Sequence, residues 1–156
     1  MPRCATASWG SVGAMVRRWG LSGGLVVLAV FVGVTSVHAG NVGSGVVFFL
    51  VLAVLAVIAS PRAFPKSVTD AEARALSAAD GRAIVYWRPG CPFCMRLRAS
   101  LGRRADRLIW VDIWADPAGA ASVRAVADGN ETVPTVITAD AAMVNPQPEA
   151  VRALTV

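Results

Sequence analysis

The chain has 156 residues, 55% of them hydrophobic and 16% charged, with a net charge of +5 and a mean hydropathy of +0.56. That apolar content is high for a soluble domain, and it is unevenly placed. All ten acidic residues lie at or beyond Asp70, whereas Leu21–Val37 and Val42–Ala59 carry no charge. The pI of about 10.1 would suit a nucleic-acid partner, but no nucleic-acid motif accompanies it. Lys66 is the only lysine beside 14 arginines, a compositional bias rather than a binding surface, so no nucleic acid is expected. The chain divides into a membrane-seeking half and a soluble half of 88 residues, 69–156, large enough to fold around a modest core.

In chain order, residues 1–20 read as an N-terminal cytoplasmic tail. Leu21–Val37 and Val42–Ser60 span 17 and 19 residues, close to the ~20 that a helix needs to cross about 30 Å of hydrocarbon. The short uncharged link His38-Ala39-Gly40-Asn41 makes 21–60 a transmembrane helical hairpin. Arg17 and Arg18 flank one end, and Arg62 and Lys66 the other. Positive flanks favour the cytoplasmic side, which predicts a multi-pass cell-membrane protein whose soluble domain faces the cytoplasm. Arg17-Arg18, the apolar run and Val37-His38-Ala39 also have the form of a secretory signal, and Met15 is an alternative start. The small-residue pairs Gly20/Gly24 and Ala56/Ser60 are of a kind that lets helices approach closely, yet segments this rich in Gly and Ala contain such pairs by chance. His38 reads as a hairpin-tip residue and not as a ligand.

Two prolines make 61–68 a linker. Thr69-Asp70-Ala71-Glu72 fits a capping box that starts a helix ending near Gly81. Ala83–Trp87 reads as a buried strand and Arg88-Pro89-Gly90 as a tight loop. A helix from Pro92 to about Arg104 buries Cys94, Leu97 and Leu101, spaced i, i+3, i+7, and leaves Arg96, Arg98, Arg103 and Arg104 solvated. Leu108–Trp114 is a second strand. Asp116 caps a helix with Pro117 at its first position, running to about Ala127 and stopping at Gly129. Thr135–Thr138 and Ala141–Val144 are further strands, and Asn145-Pro146 caps a last short helix. Such alternation implies a mixed sheet covered by helices.

Cys91-Pro92-Phe93-Cys94 falls where the first strand turns into a helix. Pro92 suits the first helical position, so Cys91 is at the N-cap. There, unpaired N–H groups and the helix dipole stabilise an anion, and the thiolate is the form that attacks disulfides. Arg88, three residues earlier, adds a cation that favours the thiolate and can bind a carboxylate. Cys-x-x-Cys beside a βαβ pattern is the context of a thioredoxin-like redox protein.

The blocks Trp87-Arg88-Pro89-Gly90-Cys91-Pro92-Phe93-Cys94 and Gly129-Asn130-Glu131-Thr132-Val133-Pro134 resemble the mycoredoxin-like glutaredoxins of actinobacteria, over roughly residues 80–154; Pro134 lies 43 residues beyond Cys91. The resemblance implies a thioredoxin-like (glutaredoxin) α/β domain at 69–156, a four-stranded mixed sheet flanked by helices, here preceded by the two transmembrane helices. It implies Cys91 as the nucleophile and Cys94 as the buried resolving thiol. Pro134 would be a cis proline facing the site, and Val133 would offer its backbone N–H and C=O to a thiol peptide. Arg88, Phe93 and Thr132 complete the expected thiol-binding set. No bound cofactor and no metal are expected. The co-substrate would be a low-molecular-weight thiol, mycothiol or glutathione, and the partners proteins carrying mixed disulfides. Where many glutaredoxins have Gly-Gly and an acidic cap, this chain has Val144-Asn145-Pro146-Gln147, with Asn145 read as a plain helix cap.

Other readings use the same cysteines. A structural zinc needs four ligands, and the remaining candidates, Cys4 and His38, are remote. An iron–sulfur cluster shared by two chains needs only thiolates and would make the domain a binding module. A thioredoxin-like dithiol reductase or an envelope-facing disulfide enzyme would differ in mechanism or orientation. Trp110 and Trp114 read as sheet-packing residues, and Trp87 as core packing or a substrate contact.

Overall fold

The computed structural model describes residues 8–60 and 64–155, so Arg3, Cys4 and Arg62 lie outside the described residues. The chain forms two compact units, Met1–Ala63 and Phe64–Val156.

The first unit is a pair of helices, α1 (Ser8–His38) and α2 (Val42–Ala59), so the expected tail is already helical from Ser8. Gly40 turns the chain between them with φ of +74°, a conformation that glycine adopts without steric cost. The helices approach closely at Gly45, where a Cβ would lie 2.5 Å from that of Ser36, and Gly33 meets the Phe49 ring. Gly20 and Gly24 have open space in the Cβ direction and take no part in that contact. One described stretch, Trp19–His38, is long and apolar enough to cross a membrane; near the N-terminus it fits either a membrane span or a signal sequence. The second expected span does not meet the same test. Its apolar run, Val42–Ile58, is shorter than the first and lies at the lower limit of the roughly 17–25 residues that cross about 30 Å of hydrocarbon.

The second unit contains α3 (Asp70–Asp80), β1 (Ile84–Trp87), α4 (Pro92–Leu101), a 3-10 turn (Gly102–Arg107), β2 (Ile109–Asp112), α5 (Pro117–Val126), β3 (Thr135–Ile137), β4 (Ala142–Val144) and α6 (Pro148–Ala153). The sheet order is β2-β1-β3-β4. β1 runs parallel to β2 and antiparallel to β3, and β3 antiparallel to β4, a mixed sheet that fits the thioredoxin-like arrangement. The helices pack in pairs, α3 with α5 and α4 with α6. All four residues of β1 are buried, as befits a strand covered on both faces.

Local signals explain most helix ends. Thr69 Oγ1 accepts the Glu72 N–H at 3.3 Å, and Gly81 closes α3 with φ of +74°. Asp116 Oδ1 accepts the Ala118 N–H at 3.0 Å, with Pro117 next. Three expectations shift. α4 ends at Leu101, not Arg104, because Gly102 takes a φ of +55° and the chain tightens into the 3-10 turn. The last helix has Gln147 at its N-cap position, without a side-chain capping bond, and Pro148 at its start, in place of Asn145-Pro146. The expected linker lends residues to the domain: Phe64 stacks on Trp87 at 3.8 Å, and the Val68 N–H donates to the Trp110 carbonyl at 2.9 Å. Burying that ring and extending the β2 edge place the unit's start at Phe64 rather than residue 69.

A buried polar cluster ties α3, β1 and α5 together. Asp70 accepts from Tyr86 Oη at 2.6 Å, Ser122 Oγ at 2.9 Å and Arg74 Nε at 2.8 Å. Burial opposes the Asp70 charge, but these donors hold its carboxyl below the usual range. Burial and the neighbouring carboxylate push the Tyr86 hydroxyl up.

Candidate active site

β1 delivers the chain to Arg88-Pro89-Gly90, and Gly90 takes a φ of +75° that turns it into α4. Cys91 is the N-cap, with extended backbone, and Pro92 follows at the first helical position. Cys91 Sγ accepts the Cys94 N–H at 3.2 Å. The Cys94 thiol donates to Cys91 Sγ at 2.7 Å, and the Cys91 thiol in turn reaches the Val133 carbonyl at 3.4 Å. Both thiols are free; Cys91 is 5% exposed and Cys94 not at all. The Val133–Pro134 peptide is cis, and both residues are buried. The structure thus gathers Cys91, Cys94, Val133 and Pro134 from the start of α4 and the loop before β3. Phe93 stands out at 56% exposed, and Thr132 is exposed beside Val133.

Residues 83–141 match the Glutaredoxin family model. The matched stretch contains the cysteine turn, β1 to β3 and the cis proline. No curated protein and no solved structure matches the chain. Together with the mixed sheet, the match supports a thioredoxin-like domain of glutaredoxin type and, in general terms, thiol–disulfide oxidoreductase chemistry.

Within this domain the two thiols are driven apart. The hydrogen bond from the Cys94 thiol is the largest influence that lowers Cys91, to about 6 from an ordinary 9.0. The Cys94 and Phe93 N–H groups and the Arg88 charge act the same way, and burial opposes them. The same partnership and burial push Cys94 up. Near neutral pH the arrangement is a thiolate at Cys91 beside a protonated Cys94: one sulfur ready to attack, the other holding its proton. No group of three or more His, Cys, Asp or Glu side chains able to hold a metal comes together among the described residues.

The sequence reading missed two features. Trp114 is no mere sheet-packing residue: the Arg88 guanidinium lies over its ring, 5.5 Å from the centre. Asn145 is no helix cap either. It takes a φ of +48°, which Asn tolerates better than most residues, and its N–H donates to the Pro134 carbonyl at 2.8 Å, joining the end of β4 to the cis-proline loop. The Asn-Pro pair, which favours a turn, was the available signal. Trp87, by contrast, is core: it is 1% exposed, with its Nε1 donating to Ser67 Oγ at 2.9 Å. Trp110 is likewise buried, donating to the Ala105 carbonyl at 2.8 Å.

Proposed function

We propose that this chain is a membrane-anchored thiol–disulfide oxidoreductase of glutaredoxin or mycoredoxin type that reduces protein mixed disulfides with a low-molecular-weight thiol, mycothiol or glutathione. The observation that carries the reading is the N-cap position of Cys91, whose Sγ receives both the N–H and the thiol hydrogen of Cys94. The Cys91 thiolate attacks the small-thiol sulfur of a protein mixed disulfide. A bond forms between that sulfur and Cys91, and the protein sulfur leaves as a thiolate and takes up a proton. A small thiolate then attacks the same sulfur, releases Cys91 as its thiolate and leaves as the small-molecule disulfide, so one small thiol is consumed for each protein thiol freed, the other half of the product disulfide coming from the substrate. Alternatively Cys94, once deprotonated, attacks Cys91 and expels the small thiol.

Arg88, Phe93, Thr132, Val133 and Pro134 form the thiol-binding rim in this reading. The exposure of Phe93 and Thr132 beside a buried sulfur supports that role. The apolar α1 supports anchoring, with α2 completing a hairpin. The positive residues Arg17, Arg18, Arg62 and Lys66 favour a cytoplasmic redox domain.

The test is release of thiol from a peptide carrying mycothiol or glutathione as a mixed disulfide, using the full chain in detergent. Turnover is expected to vanish in Cys91→Ser and to persist in Cys94→Ser. Equal loss in both variants would sink the monothiol route and favour a dithiol reductase. Labelling of Cys91 in intact cells by an impermeant maleimide would overturn the cytoplasmic orientation.

A further inference from the structure

Arg88 leaves the end of β1, and Trp114 lies two residues beyond the end of β2. Trp87 pairs with Asp112 across the parallel strands, and the Ile113 N–H donates to the Trp87 carbonyl at 3.0 Å, extending the ladder one step. Both residues therefore emerge at the same sheet edge as the Cys91 loop. The turn that carries Trp114 is firmly built. Asp112 Oδ1 accepts the Trp114 N–H at 2.9 Å, and the Asp112 carbonyl accepts from Ala115 and Asp116, both at 3.0 Å. The ring is half-buried against the core. Its 5.5 Å separation from the Arg88 guanidinium is within the ~6 Å reach of a cation–π contact. Among the described residues Arg88 takes part in none of the ion pairs, and the Trp114 ring is a contact that can orient its guanidinium.

We propose that Trp114 is a positioning residue for the Cys91 site: it holds the Arg88 guanidinium there, and so governs attraction of anionic thiol substrates and the readiness of Cys91 to react. The substrate half rests on the oxidoreductase reading; the thiol half does not. The ionisable groups at this edge are Cys91 and Cys94 on α4, Arg88 before it and Asp112 ending β2. Thr132, Val133 and Pro134 contribute none. Arg88 is the cation of that set, and its charge favours the Cys91 thiolate. Arg88 is half-buried, and an indole face placed under its guanidinium favours one of the rotamers that an arginine side chain otherwise samples.

The experiment follows alkylation of Cys91 by mass spectrometry in the reduced full chain, across pH, with neutral iodoacetamide and anionic iodoacetate. Trp114→Leu keeps an apolar side chain but has no π face, and Trp114→Phe keeps the face. The leucine variant is expected to lower the iodoacetate-to-iodoacetamide rate ratio about two- to fivefold, the scale of one cation–π contact. It should also move the alkylation midpoint to higher pH. Arg88→Gln should do at least as much, the double variant no more than Arg88→Gln alone, and Trp114→Phe should stay near the parent. Equal behaviour of the leucine and phenylalanine variants, or a leucine effect that adds in full to that of Arg88→Gln, would overturn the proposal. Alkylation needs no turnover, so these ratios without mixed-disulfide reduction would remove the functional reading and leave this one standing.

Discussion

The two units use their apolar residues in opposite ways. In the first, Val27 is 70% exposed, Val57 69% and Phe31 65%; in the second, Val85, Tyr86, Val111, Val123 and Val136 are wholly buried. The hydrophobic effect acts on both, but the redox unit satisfies it with its own sheet and helices, whereas α1 and α2 are left needing an apolar surrounding. Against that background Phe93, at 56% exposed, stands out further than Val126, Val144 and Leu154, the unit's other exposed large apolar side chains among the described residues, and it lies two residues from Cys91.

Three changes would break or sharpen this comparison. The largest effect is expected from Trp87→Ala, which removes a fully buried ring and its stack with Phe64. A loss of about 3–5 kcal/mol should appear as a lower thermal midpoint of the redox unit, read by near-ultraviolet dichroism. The helical signal of α1 and α2 in detergent should survive; joint melting would show that the units do not fold separately. A smaller effect is expected at Gly119, where a Cβ would lie 2.7 Å from Val111 Cγ1. Gly119→Ala should cost the redox unit about 1–3 kcal/mol by overpacking. Gly45→Ala, more tightly crowded against Ser36, should leave that midpoint unchanged, because its clash lies in the other unit.

A further effect is the pH dependence that Cys91 gives the reduced protein. Its folded value is lowered from 9.0 to about 6, so the thiolate's contribution to stability is fully present above about pH 9. It is lost as pH falls through about 6. The midpoint difference between the reduced protein and Cys91→Ser should therefore grow from pH 6 to 9. A difference that is flat over this range would mean that Cys91 titrates like an ordinary thiol.

Much of the redox unit was legible in the sequence because its signals act over a few residues. Thr69 reaches Glu72, Gly81 closes α3, Asp116 and Pro117 open α5, and Pro92 sets Cys91 at the helix start. Each is a backbone requirement met within one turn of chain, and with the alternation of strands and helices they predict the mixed sheet. The N-terminal half was read less well. Its composition announced apolar helices, but the contact between them runs through Gly33, Ser36 and Gly45, and small residues were too frequent there to single these out.

The amino-acid sequence by itself determined where the chain turns, which thiol sits at a helix N-terminus and which segments shun water. Tertiary structure decided the rest: that Phe64 covers Trp87, that Asp70 gathers Tyr86 and Ser122 from 16 and 52 residues away, that Asn145 bonds the carbonyl of Pro134, and that Trp114 lies under Arg88. Those contacts join residues far apart in sequence, with no local backbone signal to mark them. Only the packing of β1 against β2 and β3 brings their ends to one edge of the sheet.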